Sequence, residues 1–150
     1  MAEGRGNPYI CGPVYNLQPA PSFMKDYKKY YHIPASPEEV YLALTSPTAI
    51  QLWSGEVAEM STEPGSLFSL WENSITGRNL EFIENQKIVQ EWDFEGEPEA
   101  SIVTIKLFAD KLGTSLELRH TNIPDEAYDE IVEGWNANYM MSLSEFFDGI

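Results

Sequence analysis

From Glu56 to Thr121 the apolar residues fall into short runs of period two, with turn signals between them. Runs of this kind at this spacing predict neighbouring strands of an antiparallel meander. "EPG" (Glu63–Gly65) separates an expected strand near Val57 from "SLFSLW", and "ENQK" (Glu84–Lys87) separates "TGRNLEFI" from "IVQEWDF". "EGEPE" (Glu95–Glu99) precedes "SIVTIKLF", and "ADKLG" (Ala109–Gly113) precedes "TSLELRH". Alternation assigns Leu80 and Phe82 to one covered face, together with Ile88, Trp92 and Phe94. Val103, Ile105 and Leu107, then Leu116 and Leu118, continue that face. Glu81, Glu91, Asp93, Lys106, Glu117 and Arg119 take the opposite side. One face is therefore wet and the other needs a cover.

The cover is a C-terminal helix that opens at Pro124 with Asp125 and Glu126 in its first turn, where carboxylates favour the positive end of the helix dipole. At 100° per residue, Tyr128, Ile131, Val132, Trp135, Tyr139, Leu143 and Phe146 form its apolar stripe. Ala127, Gly134, Asn138 and Met141 flank that stripe, and the small residues among them predict a close approach to a neighbouring element. Trp135 is expected to reach into whatever space the sheet and helix enclose. Met140 and Met141 point to different helix faces and make no recognition stripe.

Upstream, "KDYKKYYHI" (Lys25–Ile33) reads as a first strand. Ser36, Pro37 and Glu39 supply an N-cap, a first-turn proline and a capping box, and Ser46 with Pro47 repeats the signal. Two short helices, Pro37–Leu44 and Pro47–Trp53, follow from this. Residues 1–23 carry four prolines (Pro8, Pro13, Pro19 and Pro21) and no periodicity, so they read as an extended or disordered arm before a domain at 24–150. The expected class is α+β: a curved antiparallel sheet wrapped around one long C-terminal helix, with two short helices after the first strand.

Charge narrows the partners. The chain of 150 residues carries 9 Lys and Arg against 24 Asp and Glu, a formal net charge of −15. Such a surface disfavours nucleic acid and anionic lipid headgroups. No apolar run approaches the ~20 residues of a membrane span, so no membrane insertion is expected. No signal-peptide pattern opens the chain, and the expected location is the cytoplasm. Cys11 is the single cysteine, which leaves it without an intrachain disulfide partner.

No catalytic constellation emerges. Cys11 has no nearby histidine, and "GRG" at 4–6 lacks the context of a phosphate loop. His32 and His120 end separate strands without companions at metal-ligand spacing, so neither a metal nor a cofactor is expected. His120 continues the phase of Leu116 and Leu118 onto the covered face. There it serves either as a hydrogen-bonded strand terminus or as a contact for a ligand's polar end. Trp71, Trp92 and Trp135 read as core residues before they read as ligand contacts.

Four segments in order, "IPASPEEVYLALTSPTAIQLW", "GSLFSLWENSITGRNLEFIENQKIVQEW", "GTSLELRHTNIPDE" and the pair Gly134–Trp135, resemble the START-like (SRPBCC) superfamily. Within it, they are similar to the group homologous to the C-terminal domain of the activator of the ninety-kilodalton heat-shock protein ATPase. The resemblance covers most of Tyr31–Phe147 and implies a helix-grip fold with a cavity between sheet and helix. The superfamily includes lipid carriers, cyclases and co-chaperone domains, so fold alone does not assign activity. The first expectation is a non-catalytic domain that holds a hydrophobic small molecule. Its cavity would be lined by Phe68, Leu80, Phe82, Trp92, Val103, Ile105, Leu118, His120, Trp135 and Tyr139. The alternative is a co-chaperone-like module that meets a chaperone ATPase, with the interior simply filled. A polyketide-cyclase-like enzyme is a third reading and would need a polar cluster inside.

Overall fold

Serine and proline set the first turns. β1 (Met24–Ile33) leads into α1 (Pro37–Thr45) and α2 (Pro47–Ser54). The Ser36 hydroxyl accepts from the Glu39 backbone N–H at 3.2 Å, while the Glu39 carboxylate accepts from the Ser36 N–H at 3.1 Å. This is the predicted capping box, with Pro37 in the first turn. Ser46 caps α2 in the same manner, accepting from Ala49 N–H at 3.3 Å. The computed structural model describes residues 24–148 except 95, 97 and 98. The expected arm at 1–23, Cys11 within it, and most of the turn at 95–99 thus lie outside the described residues.

Five more strands follow: β2 (Leu67–Leu70), β3 (Ile75–Ile83), β4 (Lys87–Trp92), β5 (Ser101–Asp110) and β6 (Gly113–Pro124). They form one antiparallel sheet in the order β1-β6-β5-β4-β3-β2. β2 to β6 are the predicted meander, and β1 extends it by pairing with β6, with Tyr31 opposite Leu116. A C-terminal helix then covers the inner face. It consists of a 3₁₀ turn (Asp125–Ala127), α3 (Tyr128–Glu133), a π-helical segment (Gly134–Met140) and α4 (Met141–Asp148). The architecture is the expected α+β helix-grip fold. Ile33, Val40, Ile50, Ile88, Val103, Ile105, Leu116, Leu118 and Leu143 form the centre of its core.

Three local expectations are corrected. Val57 is in no strand and is 61% exposed; its neighbourhood contributes only an isolated bridge between Glu59 and Ser69. "SLFSLW" stops pairing at Leu70, because Trp71, Glu72 and Asn73 turn left-handed with φ of 49°, 51° and 71°. Leu80 is not on the covered face. The β3–β4 register shifts between Asn79 and Glu81, so Leu80 is the extra residue of a bulge and is 38% exposed. An inserted residue reverses strand parity. Gly77 and Asn79 therefore face inward before the bulge, and Phe82 faces inward, half-buried, after it. Gly77 is demanded by space: a Cβ there would overlap the Glu91 carbonyl oxygen and press on the Phe68 ring opposite.

The π segment also departs from the predicted 3.6-residue stripe. Trp135, Tyr139 and Leu143 are buried as expected, but Met140 joins them. Asn136 ties this segment to β1. Its Oδ1 accepts from Lys29 Nζ at 2.7 Å and from the Tyr31 hydroxyl at 2.9 Å. Its Nδ2 donates to the Tyr27 hydroxyl at 3.0 Å and to the Val132 carbonyl at 2.8 Å. The side chain is thereby fully committed, which holds the helix at a fixed height over the sheet.

Candidate functional site: an aromatic pocket

Around Trp135 the interior between sheet and helix is filled by aromatic rings. Trp92 from β4 stacks on Trp135 from the π segment, with centroids 4.9 Å apart and planes 27° apart. Tyr139 lies 4.6 Å from Trp135, 5.1 Å from Trp53 and 5.7 Å from Trp71. Offset and tilted contacts of this kind each contribute about 0.5–1.5 kcal/mol beyond their burial.

Two polar relays lie beneath the stack, and neither was legible as a set in the sequence. Trp92 Nε1 donates to Gln90 Oε1 at 3.1 Å, and Gln90 Nε2 donates to Asn79 Oδ1 at 3.0 Å. Asn79 Nδ2 completes this relay on the Ser61 carbonyl and the Ser66 hydroxyl, both at 3.1 Å. In the second relay, Trp135 Nε1 donates to His120 Nδ1 at 3.0 Å. An indole N–H can only donate, so Nδ1 is an acceptor and the ring proton sits on Nε2. Nε2 donates to the Ser101 hydroxyl at 2.8 Å, which in turn donates to the Thr121 carbonyl at 3.1 Å.

His120 is 0% exposed, and its burial lowers the imidazole pKa to about 3. Both ring nitrogens are occupied within the protein. The Ser101–His120 contact resembles a nucleophile and its base, but the polarity is reversed. A base must present an unprotonated nitrogen to the serine, whereas Nε2 carries the proton here. His120 lies within β6 rather than at its end, and both its ring nitrogens are bonded inside the protein.

Beside the stack lies a pocket of about 300 Å³, open to solvent on one side. Trp71, Ser74 and Ile75 form one wall, Trp92 and Trp135 the floor, and Glu130, Ile131, Gly134, Asn138 and Tyr139 the helical wall. Of the ten residues expected around a cavity, Trp92, Trp135 and Tyr139 line this one. Phe68, Val103, Ile105, Leu118 and His120 are buried in the core, Phe82 is half-buried, and Leu80 is exposed. The sequence reading missed Ser74, Ile75, Glu130, Ile131 and Asn138 as lining residues. The left-handed turn at Trp71–Asn73 sets the course of Ser74 and Ile75, and the period change at Gly134–Met140 that of Asn138. Ile131 lies on the expected apolar stripe, and Glu130 stands beside it in regular helix.

Both walls carry unusual backbone. Three successive non-glycine residues with positive φ cost about 1 kcal/mol or more each. The turn is held by Ser74 N–H to the Trp71 carbonyl at 3.0 Å and by the Ser69 hydroxyl to Asn73 Oδ1 at 2.6 Å. Opposite stands the π segment, a form that is rare and concentrated at functional sites.

Gly134 has a different role from the one expected. A Cβ at this position meets nothing within 4 Å, so no element approaches closely there. The missing side chain opens the pocket instead. Gly134→Ala is expected to raise stability by about 0.5–1 kcal/mol through helix propensity. Gly134→Leu is expected to occupy the pocket and weaken binding of any aromatic probe. Denaturant midpoints check the first variant, and a lower midpoint for Gly134→Ala would restore the close-contact reading.

Among the described residues no group of three His, Cys, Asp or Glu converges as a metal site, and no helix is long and apolar enough to cross a membrane. Comparison with known proteins gives a consistent picture. The family profile described as "Activator of Hsp90 ATPase homolog 1-like protein" matches residues 34–148. The human protein "Activator of 90 kDa heat shock protein ATPase homolog 1" is 28% identical over 114 residues, 75% of this chain and 34% of that protein. The chain thus spans about a third of that relative's length. The crystal structure of an HSP90 activator from Plasmodium falciparum superposes with a TM-score of 0.76 at 27% identity, covering 84% of this chain and 97% of that one. CalU16 from Micromonospora echinospora superposes with a TM-score of 0.68 at 27% identity, covering 83% and 73%. Given the match across 34–148 and the helix-grip architecture, the chain belongs to the Activator of Hsp90 ATPase homolog 1-like protein family.

Proposed function

We propose that this chain is a non-catalytic binding domain whose pocket holds a planar, apolar small molecule between the Trp71 turn and the π segment. One observation carries the reading. The stacked Trp92 and Trp135 border an open space of about 300 Å³, with both indole N–H groups already bonded inward. What they present to that space is aromatic surface without an unmet polar demand. The volume is at the small end of the ~300–1,000 Å³ typical of ligand pockets, which suits a compact ring system rather than a long acyl chain.

Titration with 2-naphthalenemethanol tests the proposal. The expected result is saturable quenching of tryptophan emission and a melting temperature that rises with ligand concentration by mass action. No binding up to the solubility limit would overturn it.

A second reading has its own support. The human relative named as an activator of the heat-shock ATPase is 28% identical to this chain, and the solved chain of the Plasmodium falciparum activator, 27% identical, is matched over nearly its whole length. In that reading the chain is a co-chaperone module and its surface meets a chaperone ATPase. Adding the chain to the heat-shock ATPase of its own source separates the two. Stimulated turnover without probe binding selects the co-chaperone. Probe binding without stimulation, the expected outcome, selects the ligand-binding domain.

A further inference from the structure

We infer that the pocket selects aromatic ligands bearing a positive charge over the same rings bearing none or a negative one. This rests on the pocket-binding reading above and specifies its ligand class. Among the described residues no Lys, Arg or His lines the pocket, and the one carboxylate that does, Glu130, stands exposed on the helical wall. The helix that forms this wall is itself acidic, and the cations against it, Lys25 at Asp125 and Lys29 at Asn136, come from β1 and are not among the lining residues. From Asp125 to Asp148 the C-terminal helix carries seven carboxylates and no lysine or arginine. Among the described residues only one of these, Asp125, is in a salt bridge, with Lys25 at 2.9 Å.

The interior favours a cation in a second way. Trp71, Trp92 and Trp135 supply indole rings, whose faces attract cations. The N–H groups of Trp92 and Trp135, which would favour an anion, are spent on Gln90 and His120. The remaining polar groups of the lining, at Ser74, Asn138 and Tyr139, are neutral. The Tyr139 hydroxyl has no hydrogen-bond partner among the described residues, and burial raises its pKa well above the ordinary phenol value, so it stays uncharged. A fully buried ammonium would lose its hydration, which the indole faces alone offset only in part, so the charge gains most at the mouth of the pocket. The arrangement therefore places the ligand's rings against the indoles and its charged group at the open side near Glu130. Carboxylate lipids are disfavoured.

A matched series on one ring system tests the inference: 2-naphthylmethylammonium, 2-naphthalenemethanol and 2-naphthoate, titrated into the full chain. At low ionic strength the cation is expected to bind about tenfold tighter than the neutral alcohol, with one site per chain. The anion should bind weakest. Near 1 M salt, where the screening length is about 3 Å, the cation's advantage should shrink to a few-fold. Glu130→Gln should lower the ratio of cation to alcohol affinity, a readout that a general loss of folding does not move. Gly134→Leu should weaken the cation, which separates the pocket from diffuse attraction to an acidic surface. Equal affinities across the series, a ratio unmoved by Glu130→Gln, or cation binding unaffected by Gly134→Leu would each overturn charge selection. If the alcohol binds the wild type and is weakened by Gly134→Leu in those cases, the pocket reading survives. Binding of none of the three would remove both.

Discussion

Trp135→Ala is expected to lower the free energy of unfolding by about 3–5 kcal/mol, the range for deleting a buried large aromatic side chain. Trp135 is 2% exposed and touches Trp92, His120 and Tyr139, so no neighbour can close the void without breaking a stack. The variant also removes the donor to His120 Nδ1. An unpaired buried acceptor costs about 1–3 kcal/mol, and that penalty is part of the measured total. Trp135→Phe keeps a six-membered aromatic ring in the wedge while losing the N–H and part of the indole volume, so it removes the whole hydrogen bond but only a fraction of the packing. Its midpoint in urea should lie between those of the wild type and Trp135→Ala, with the slope unchanged. A change below about 1 kcal/mol for Trp135→Ala would mean that the helix does not depend on this wedge.

Acid should unfold the protein through His120. Its folded pKa, about 3, lies below the unfolded value of about 6.5, so the unfolded chain binds the proton first. The sign follows directly. The contribution is complete above pH 6.5 and is lost as pH falls toward 3. Within that window the slope is at most about 1.4 kcal/mol per pH unit. The comparison must be internal, with one residue changed. His120→Gln retains an acceptor for Trp135 and a donor for Ser101 but does not titrate. Stability measured between pH 7 and 4 should fall more steeply in the wild type than in His120→Gln. Parallel curves would show that His120 is not the group that couples protons to folding.

The residues that were legible in the sequence share a physical trait: their signals are local. Ser36, Pro37 and Glu39 specify a helix start because the capping box closes within one turn. The alternation of Val103, Ile105 and Leu107 against Lys106 specifies a face because a regular strand has period two. Trp92 could be placed inside for the same reason, and Trp135 and Tyr139 by the helical period. Leu80 was misplaced because one bulged residue reverses parity, and the register of the partner strand decides where that residue sits. Asn79 and Gln90 interrupt the apolar pattern of their strands, yet each is buried and satisfied by a partner distant in sequence.

Gly134 shows the division most clearly. Helix periodicity put it beside the apolar stripe, and local rules then favoured a tight contact. Whether a missing side chain admits a neighbour or leaves a space depends on what stands opposite, and here that is the strained Trp71 turn across a pocket. By itself the sequence determined the α+β class, the order of the elements, the covered face of the sheet and the acidic surface. Caps, periods and charge act over a few residues and need no partner to be read. Tertiary structure alone decided the bulge, the π segment, the two hydrogen-bond relays and the pocket between the walls, because each exists only where segments far apart in the chain meet.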